Sequence, residues 1–293
     1  MLKPPASIHN VLFATDFSPA TAVAFSYSVG IANRYQSKLI VAHVVSLDSV
    51  ELLDDEPARA MIDNTRNEAT RRISDLLEPL HLPSDRYEIA VAEGEIYEAL
   101  VEIIQRHHID IAVLGTHGRR AFKKLMMGSV AEEVFRMAPC PVLTVGPNAR
   151  PANPGGLKSI LYPVEYAPDS SSAARYAVSL AERYGATLTV MNVGEDMSGP
   201  ANVAGQFTNV LEHWTQNHIP PGSELRNRIR FETGFGPAAD SILDFAARAG
   251  VDLIVMPVRR LDPVIAAHLP KSDTAYELVS RAMCPVLTIG DGL

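Results

Sequence analysis

Residues 11–45 read VLFATDFSPATAVAFSYSVGIANRYQSKLIVAHVV, and residues 160–194 read ILYPVEYAPDSSSAARYAVSLAERYGATLTVMNVG. The two segments align without a gap at an offset of 149 residues. The ends of the two halves also match, because Cys140-Pro-Val-Leu-Thr-Val-Gly146 returns as Cys284-Pro-Val-Leu-Thr-Ile-Gly290. Two matches in the same order, at nearly the same spacing, indicate an internal duplication.

The boundary between the copies lies in Pro147–Gly156, which reads PNARPANPGG. This stretch is rich in proline, glycine and asparagine and has no apolar periodicity, which is typical of a linker. We therefore predict an N-terminal domain over residues 1–147, a linker over 148–156 and a C-terminal domain over 157–293.

The composition is that of an ordinary globular protein. Of the 293 residues, 47% are hydrophobic and 20% are charged, and the net charge is −8. An acidic balance argues against non-specific nucleic-acid binding and against a basic membrane-surface protein. Residues 1–10 lack the apolar core of a signal peptide, and no apolar run reaches ~18 residues. Two cysteines do not make a disulfide scaffold. From these features together we expect a soluble, cytoplasmic protein.

Within each half, short apolar runs alternate with helix-spaced segments. In the first half the spacing predicts a helix over Pro19–Tyr35, capped by Ser18. Its predicted apolar stripe consists of Ala22, Phe25, Val29 and Ala32. The five predicted strands of this half are Val11–Ala14, Leu39–Val45, Tyr87–Ala92, Ile109–Leu114 and Val142–Val145. Strands separated by helices predict a doubly wound α/β domain with a parallel sheet.

A glycine-bearing basic loop follows the fourth predicted strand. It reads Gly115-Thr-His-Gly118-Arg-Arg-Ala-Phe-Lys-Lys-Leu-Met-Met-Gly128-Ser129 and leads into a helix. Gly115 and Gly118 would let the backbone approach a phosphate closely, and Gly128-Ser129 would offer the N–H groups of a helix start. The loop also carries four cations, which are Arg119, Arg120, Lys123 and Lys124. These residues fit a polyphosphate cradle, or equally a βα loop with a solvated basic turn.

These motifs together resemble the universal stress protein family. The family pattern is G-x2-G-x9-G-[S/T] between a strand and a helix, with V-L-F-A-T-D ending on Asp16 and His43-Val44 at the end of strand two. The resemblance covers nearly the whole chain as two tandem copies. It implies Rossmann-like domains of the adenine nucleotide alpha hydrolase type, with strand order 3-2-1-4-5. It further implies bound ATP, with Mg²⁺ or Mn²⁺ on the phosphates.

The resemblance also implies roles for single residues. Ala14, Thr15 and Asp16 would line the adenosine, and Asp16 would accept a hydrogen bond from a ribose hydroxyl. Leu39 and Leu114 would frame the adenine. The residues expected at the phosphates are Gly115, His117, Gly118, Arg119, Gly128, Ser129 and Val130. The alternative for Asp16 is an Asx-turn or helix cap, and the alternative for His117 is an ordinary polar loop residue.

The second copy departs from this pattern. Pro257-Val-Arg-Arg260 replaces Gly-Thr-His-Gly, and proline lacks the N–H that a phosphate would need. Ser272-Asp273 replaces Gly128-Ser129, and an aspartate there would repel a phosphate. Glu165 replaces Asp16. We predict that this half does not bind ATP in the same way, although Arg259 and Arg260 remain able to contact some other anion.

The chain carries few enzyme motifs. It has no G-x4-G-K-[S/T], no G-x-S-x-G and no H-E-x-x-H, and we identify no catalytic residue and no metal ligand set. Cys140 and Cys284 are expected to be small buried residues. Three functions stay open: a nucleotide-sensing stress protein, a structural or interaction module with a vestigial loop, and a slow ATPase.

The last strand of each half predicts how the halves assemble. Val142–Val145 and Val286–Ile289 are apolar and lack charge and internal proline. In the order 3-2-1-4-5 the last strand lies at an edge, and an unpaired apolar edge invites association. The resemblance implies dimers through this strand in single-copy relatives. We predict antiparallel pairing of the two strands as an intrachain pseudo-dimer, with exchange between two chains as the alternative.

Overall fold

The structure is a computed structural model that describes residues 7–18, 21–46, 56–116, 129–164, 172–194, 213–258 and 273–290. The first half contains β1 (Asn10–Ala14), α1 (Thr21–Tyr35), β2 (Lys38–Val45), α2 (Glu56–Leu77), β3 (Tyr87–Glu93), α3 (Ile96–Arg106), β4 (Ile111–Gly115), α4 (Ser129–Met137) and β5 (Val142–Val145). The second half contains β6 (Ser159–Val164), α5 (Ser172–Tyr184), β7 (Thr187–Gly194), β8 (Ile229–Phe235), α6 (Ala238–Ala249), β9 (Leu253–Val258), α7 (Thr274–Arg281) and β10 (Val286–Gly290). None of the described helices is long and apolar enough to cross a membrane.

The ten strands of the described residues form one sheet, in the order β3-β2-β1-β4-β5-β10-β9-β6-β7-β8. Each half is parallel and has the predicted order 3-2-1-4-5, so the doubly wound fold class is confirmed. The two halves meet where β5 and β10 pair antiparallel, with Leu287 opposite Leu143. The structure therefore pairs the last strands within one chain, as predicted, and a pseudo-twofold axis runs through this leucine pair.

Each face of the sheet carries its own core. The α1 face is covered by α1, α2 and α5, and the α3 face is covered by α3, α4, α6 and α7. Both clusters contain residues of both halves, including Leu143 with Leu287 on the α1 face and Cys140 with Cys284 on the α3 face. Because the halves share both cores, we expect them to unfold together.

Helices α1 and α5 make a second, reciprocal contact across the pseudo-twofold axis. The Arg34 guanidinium donates to the carbonyl of Arg183, and Arg183 Nη2 donates to the carbonyl oxygen of Arg34 at 3.0 Å. Each guanidinium also lies 5.1 Å from the centroid of a tyrosine ring, Arg34 over Tyr184 and Arg183 over Tyr35. Since these residues are equivalent in the two copies, the interface is self-complementary, like that of a C₂ dimer.

The apolar stripe predicted for α1 is partly wrong. The structure buries Thr21, Ala24, Ser28 and Ala32, whereas Ala22 is exposed. Small residues on the inner side bring the helix close to the sheet, and the bulkier predicted stripe residues Phe25 and Val29 pack half-buried at its flanks. The predicted first residue, Pro19, lies outside the described residues.

Two glycines give opposite expectations for the same substitution. A Cβ on Gly146 would lie 2.4 Å from the backbone oxygen of Val279 in the other half, whereas a Cβ on Gly30 would meet nothing within 4 Å. We expect Gly146→Ala to lower the free energy of unfolding by about 1–3 kcal/mol, because backbone atoms cannot move aside cheaply. Gly30→Ala should raise it by about 0.5–1 kcal/mol through helix propensity.

Equilibrium denaturation of both variants tests this pair. Equal stability of the Gly146→Ala variant and the parent would contradict the close approach of the two halves at Gly146.

Candidate functional site

Strands β1, β2 and β4 present a partly exposed apolar wall at their carboxyl ends. Ala14, the last residue of β1, is the Cα partner of Ala42 and of Leu114, and β2 continues three residues beyond this level to Val45. Ala14, Val44 and Leu114 lie on the α3 face, where Val130 of α4 packs against the same cluster. In a doubly wound sheet this edge, outside the carboxyl ends, is where ligands bind.

The loop after β1 is held by its own polar side chains. Thr15 donates its backbone N–H to the carbonyl of Ala42 at 2.9 Å, and its Oγ1 accepts the N–H of Phe17 at 2.9 Å. Asp16 Oδ1 accepts the N–H of Ser18 at 3.0 Å. The Asx-turn considered for Asp16 is therefore present. A carboxylate has several acceptor positions, so this turn orients Asp16 without using all of its capacity.

An aromatic support beneath this loop had no signal in the sequence. Phe17 has φ = 61°, a left-handed conformation that is rare for a bulky residue. Its ring lies 4.6 Å from the His43 ring, and the Arg72 guanidinium lies 4.2 Å from its centroid. His43 Nδ1 is 2.8 Å from the carbonyl oxygen of Thr15. These contacts lie on the α1 face and fix the loop that carries Thr15 and Asp16.

The structure places Leu39 away from the carboxyl edge, where it would have to lie to frame an adenine as predicted. Leu39 pairs with Val11 near the start of β2, three residues before the Ala14–Ala42 level, which is about 10 Å along a strand. It is also completely buried and lies on the α1 face. Val44, two residues beyond Ala42, lies near the carboxyl end of β2 on the α3 face.

Only the two ends of the glycine loop are described. Gly115 ends β4, and the next residue, Thr116, is buried and donates its N–H to the carbonyl of Val145 at 3.1 Å. Helix α4 begins at Ser129, so the loop does join a strand end to a helix start. The predicted residues that lie outside the described part of the chain are His117, Gly118, Arg119, Arg120, Lys123, Lys124 and Gly128.

Helix α4, which follows this loop in the sequence, and its neighbour α3 both carry acidic residues. Burial raises the pKa of Glu133 on α4, and the nearby carboxylates of Glu95 and Glu98 raise it further. In the described part of the chain, no three His, Cys, Asp or Glu side chains gather into a metal site. The negative charge of a polyanion bound here would therefore have to be offset by the basic loop or by a cation bound to the polyanion.

The corresponding corner of the second half is built differently. Strand β9 continues through Pro257 and Val258, which pair with Ile289 and Gly290 of β10. Asn192 stands where the first half has His43, and its Nδ2 donates to the carbonyl of Val164 at 3.2 Å. Glu165, Arg259, Arg260 and Ser272 lie outside the described residues.

Asp273, which aligns with Ser129 of the first half, lies at the N-terminus of α7. Its Oδ1 accepts the N–H of Tyr276 at 2.7 Å and caps α7. Its Oδ2 accepts a 2.6 Å hydrogen bond from Nη1 of Arg136, a residue of the first half that is only 5% exposed. The carboxylate thus occupies the anion position of this helix N-terminus and is tied down by a buried cation.

The two cysteines are free and buried. Burial raises the pKa of the Cys284 thiol to about 12, which disfavours the reactive thiolate. They fill space in the core on the α3 face, as predicted.

A family model described as the universal stress protein family matches residues 7–146 and 156–290. Universal stress protein A homolog 1 of Coxiella burnetii is 27% identical over 139 residues, which span 46% of this chain and 94% of the relative. Universal stress protein MJ0531 of Methanocaldococcus jannaschii is 25% identical over 139 residues, which span 46% and 80%. Each relative matches about half of this chain, which is expected when the chain contains two copies of the domain.

Solved structures also match over nearly the whole chain. A universal stress protein from Archaeoglobus fulgidus superimposes with a TM-score of 0.67 at 19% identity, covering 97% of this chain and 98% of that one. A putative universal stress protein from Pseudomonas aeruginosa gives 0.62 at 16% identity, covering 98% and 94%. At these identities the likeness shows the fold alone.

Proposed function

The chain belongs to the universal stress protein family, and on that premise we propose that it is a nucleotide-sensing stress-response protein. In this proposal the N-terminal domain, residues 1–147, binds ATP, and occupancy alters the contacts of the protein with a partner. The observation that carries the proposal is the Gly115–Ser129 motif, which joins the end of β4 to the start of α4 in one half only.

The adenosine part of the site would use the wall and loop at the carboxyl ends. We propose that Ala14, Val44 and Leu114 pack around the adenine, because they are apolar residues on one face near the carboxyl ends, and Ala14 and Val44 are partly exposed. Thr15 would line the same pocket. Asp16, oriented by its Asx-turn, would accept a hydrogen bond from a ribose hydroxyl.

The phosphates would lie between the glycine loop and α4. Gly115, Gly118 and Gly128 would allow close backbone approach, and the N–H groups at Ser129 and Val130 would donate to phosphate oxygens. His117 and the loop cations, Arg119 among them, would neutralise charge. Mg²⁺ or Mn²⁺ would enter with the nucleotide and be held through its phosphates.

We further propose that the second domain, residues 157–293, does not bind ATP in the way that the first domain does. Residues 148–156 form the linker between the two domains in this proposal. Two observations support this asymmetry. Asp273 already occupies the anion position at the start of α7, and Pro257 removes an N–H from the strand end that would face a phosphate. We propose no catalytic residue in either domain. Any homodimer would need a surface other than β5 and β10, which are paired internally.

Calorimetry with the whole chain tests this proposal. We expect about one ATP per chain, bound roughly tenfold or more tightly than adenosine at low salt, because charge-assisted hydrogen bonds contribute at least ~1.4 kcal/mol. The difference should shrink as salt rises. A stoichiometry near two would overturn the asymmetry. Equal affinity for ATP and adenosine at low salt would overturn the phosphate cradle.

A further inference from the structure

A cavity of about 480 Å³ lies on the α1 face at the pseudo-twofold axis, between α1 and α5. It is lined near the amino ends of the strands, where Ile8 precedes β1 and Ile111 and Leu253 begin β4 and β9. The proposed nucleotide site lies on the α3 face at the carboxyl ends. The cavity is therefore a separate feature of the fold.

The walls of the cavity are mostly apolar, with aliphatic side chains from both copies. Duplication pairs line it, and three of these pairs are Ile8 with Leu157, Ile31 with Leu180, and Leu143 with Leu287. The floor is formed by buried side chains, whereas Asn33 and Asn153 at the rim are exposed. Protein interiors tolerate few voids larger than a water molecule, and this volume lies within the range of small-molecule pockets.

The cavity is not symmetric, although its floor is. Gly30 of α1 lines it, and a Cβ there would meet nothing within 4 Å. The equivalent residue of α5 is Ser179. The linker crosses the cavity, and it is fixed because Ala152 donates its N–H to Ser26 Oγ at 3.1 Å. Gly156, with φ = 75°, packs so closely on Tyr184 that a Cβ would lie 2.9 Å from the ring.

One charge faces this apolar space. Among the described residues that line the cavity, Arg34 alone carries a formal charge. Burial raises the pKa values of the lining phenols Tyr27 and Tyr184 to about 12, so both are neutral. Arg34 is exposed at the rim and is held in place by the Arg183 carbonyl and the Tyr184 ring. An aliphatic pocket with a fixed cation at its rim suits an anion with an aliphatic tail.

We infer that this cavity binds a medium-chain fatty-acid anion, with its tail between α1 and α5 and its carboxylate at Arg34. The tail would cover aliphatic side chains of both halves. The carboxylate would receive charge-assisted hydrogen bonds from the guanidinium, which offers five donors. Occupancy would thus bridge the two copies at their axis, at a distance from the nucleotide edge.

Decanoate is the probe, and calorimetry with the whole chain is the measurement. We expect one decanoate per chain, and we expect Gly30→Leu to weaken binding by about tenfold or more because the new side chain enters the cavity. Ala22→Leu is the matched control, since Ala22 is an exposed residue of the same helix and does not line the cavity. Absence of decanoate binding to the parent, or unchanged binding to Gly30→Leu, would overturn the inference.

Pseudo-symmetry supplies a control for the carboxylate. Arg34→Gln and Arg183→Gln each remove one of the two reciprocal contacts between α1 and α5, but only Arg34 lines the cavity. We expect Arg34→Gln to reduce the preference for decanoate over decanol by roughly tenfold and Arg183→Gln to retain it. An equal effect of both variants would show that the contact matters only for folding and would overturn the role of Arg34. ATP binding should be unchanged in all four variants.

Discussion

Leu287→Lys should lower the free energy of unfolding by more than about 4 kcal/mol, because it places a charge in a site without water. Leu287 is completely buried, and its antiparallel partner Leu143 is 3% exposed. The pair lies at the centre of a core that both halves share. The loss should therefore appear as a single transition of the whole chain, with no stable separate half.

Denaturation and small-angle scattering check this result. Met283→Lys is the matched control, since Met283 lies just before β10 and is 45% exposed; a lysine there should change stability by no more than about 0.5 kcal/mol. The mass in solution should stay that of the parent while the Leu287→Lys chain expands. A halved mass would mean that the strands pair between two chains. Unchanged stability and compactness would mean that they are not the interface.

Gly128→Asp should weaken ATP binding by more than about a hundredfold. Gly128 immediately precedes α4, where the proposal puts the phosphates. A carboxylate ~4 Å from a phosphate costs about 4 kcal/mol at an effective dielectric constant of 20, and the added Cβ narrows the backbone approach. Aspartate is a good residue at a helix start, so the fold should survive.

Calorimetry measures the affinity of this variant, and thermal unfolding checks that it is folded. The second half offers a matched control, Ser272→Asp, because Ser272 occupies the equivalent position before Asp273. That variant should bind ATP as the parent does. Full affinity of Gly128→Asp for ATP would contradict the assignment of the phosphates to the start of α4.

The sequence by itself determined the features that local pattern carries. The repeat of residues 11–45 at 160–194 and the alternation of apolar runs with helical spacing predicted two doubly wound halves, and the sheet confirms them. The apolar, uncharged pattern of Val142–Val145 predicted its pairing with β10. Such features are readable because strand and helix periods, and the need to cover an apolar edge, are properties of short segments.

Tertiary structure alone decided which residues meet. The sequence marked β2 as an apolar run, but only the register with β1 shows that Val44 reaches the carboxyl edge of the sheet and Leu39 does not. In the same way Asp273 looked only like a repulsive residue until its contact with Arg136, 137 positions away, became visible. Register, strand level and contacts between halves depend on distant segments packing together, and no short stretch of the chain encodes them.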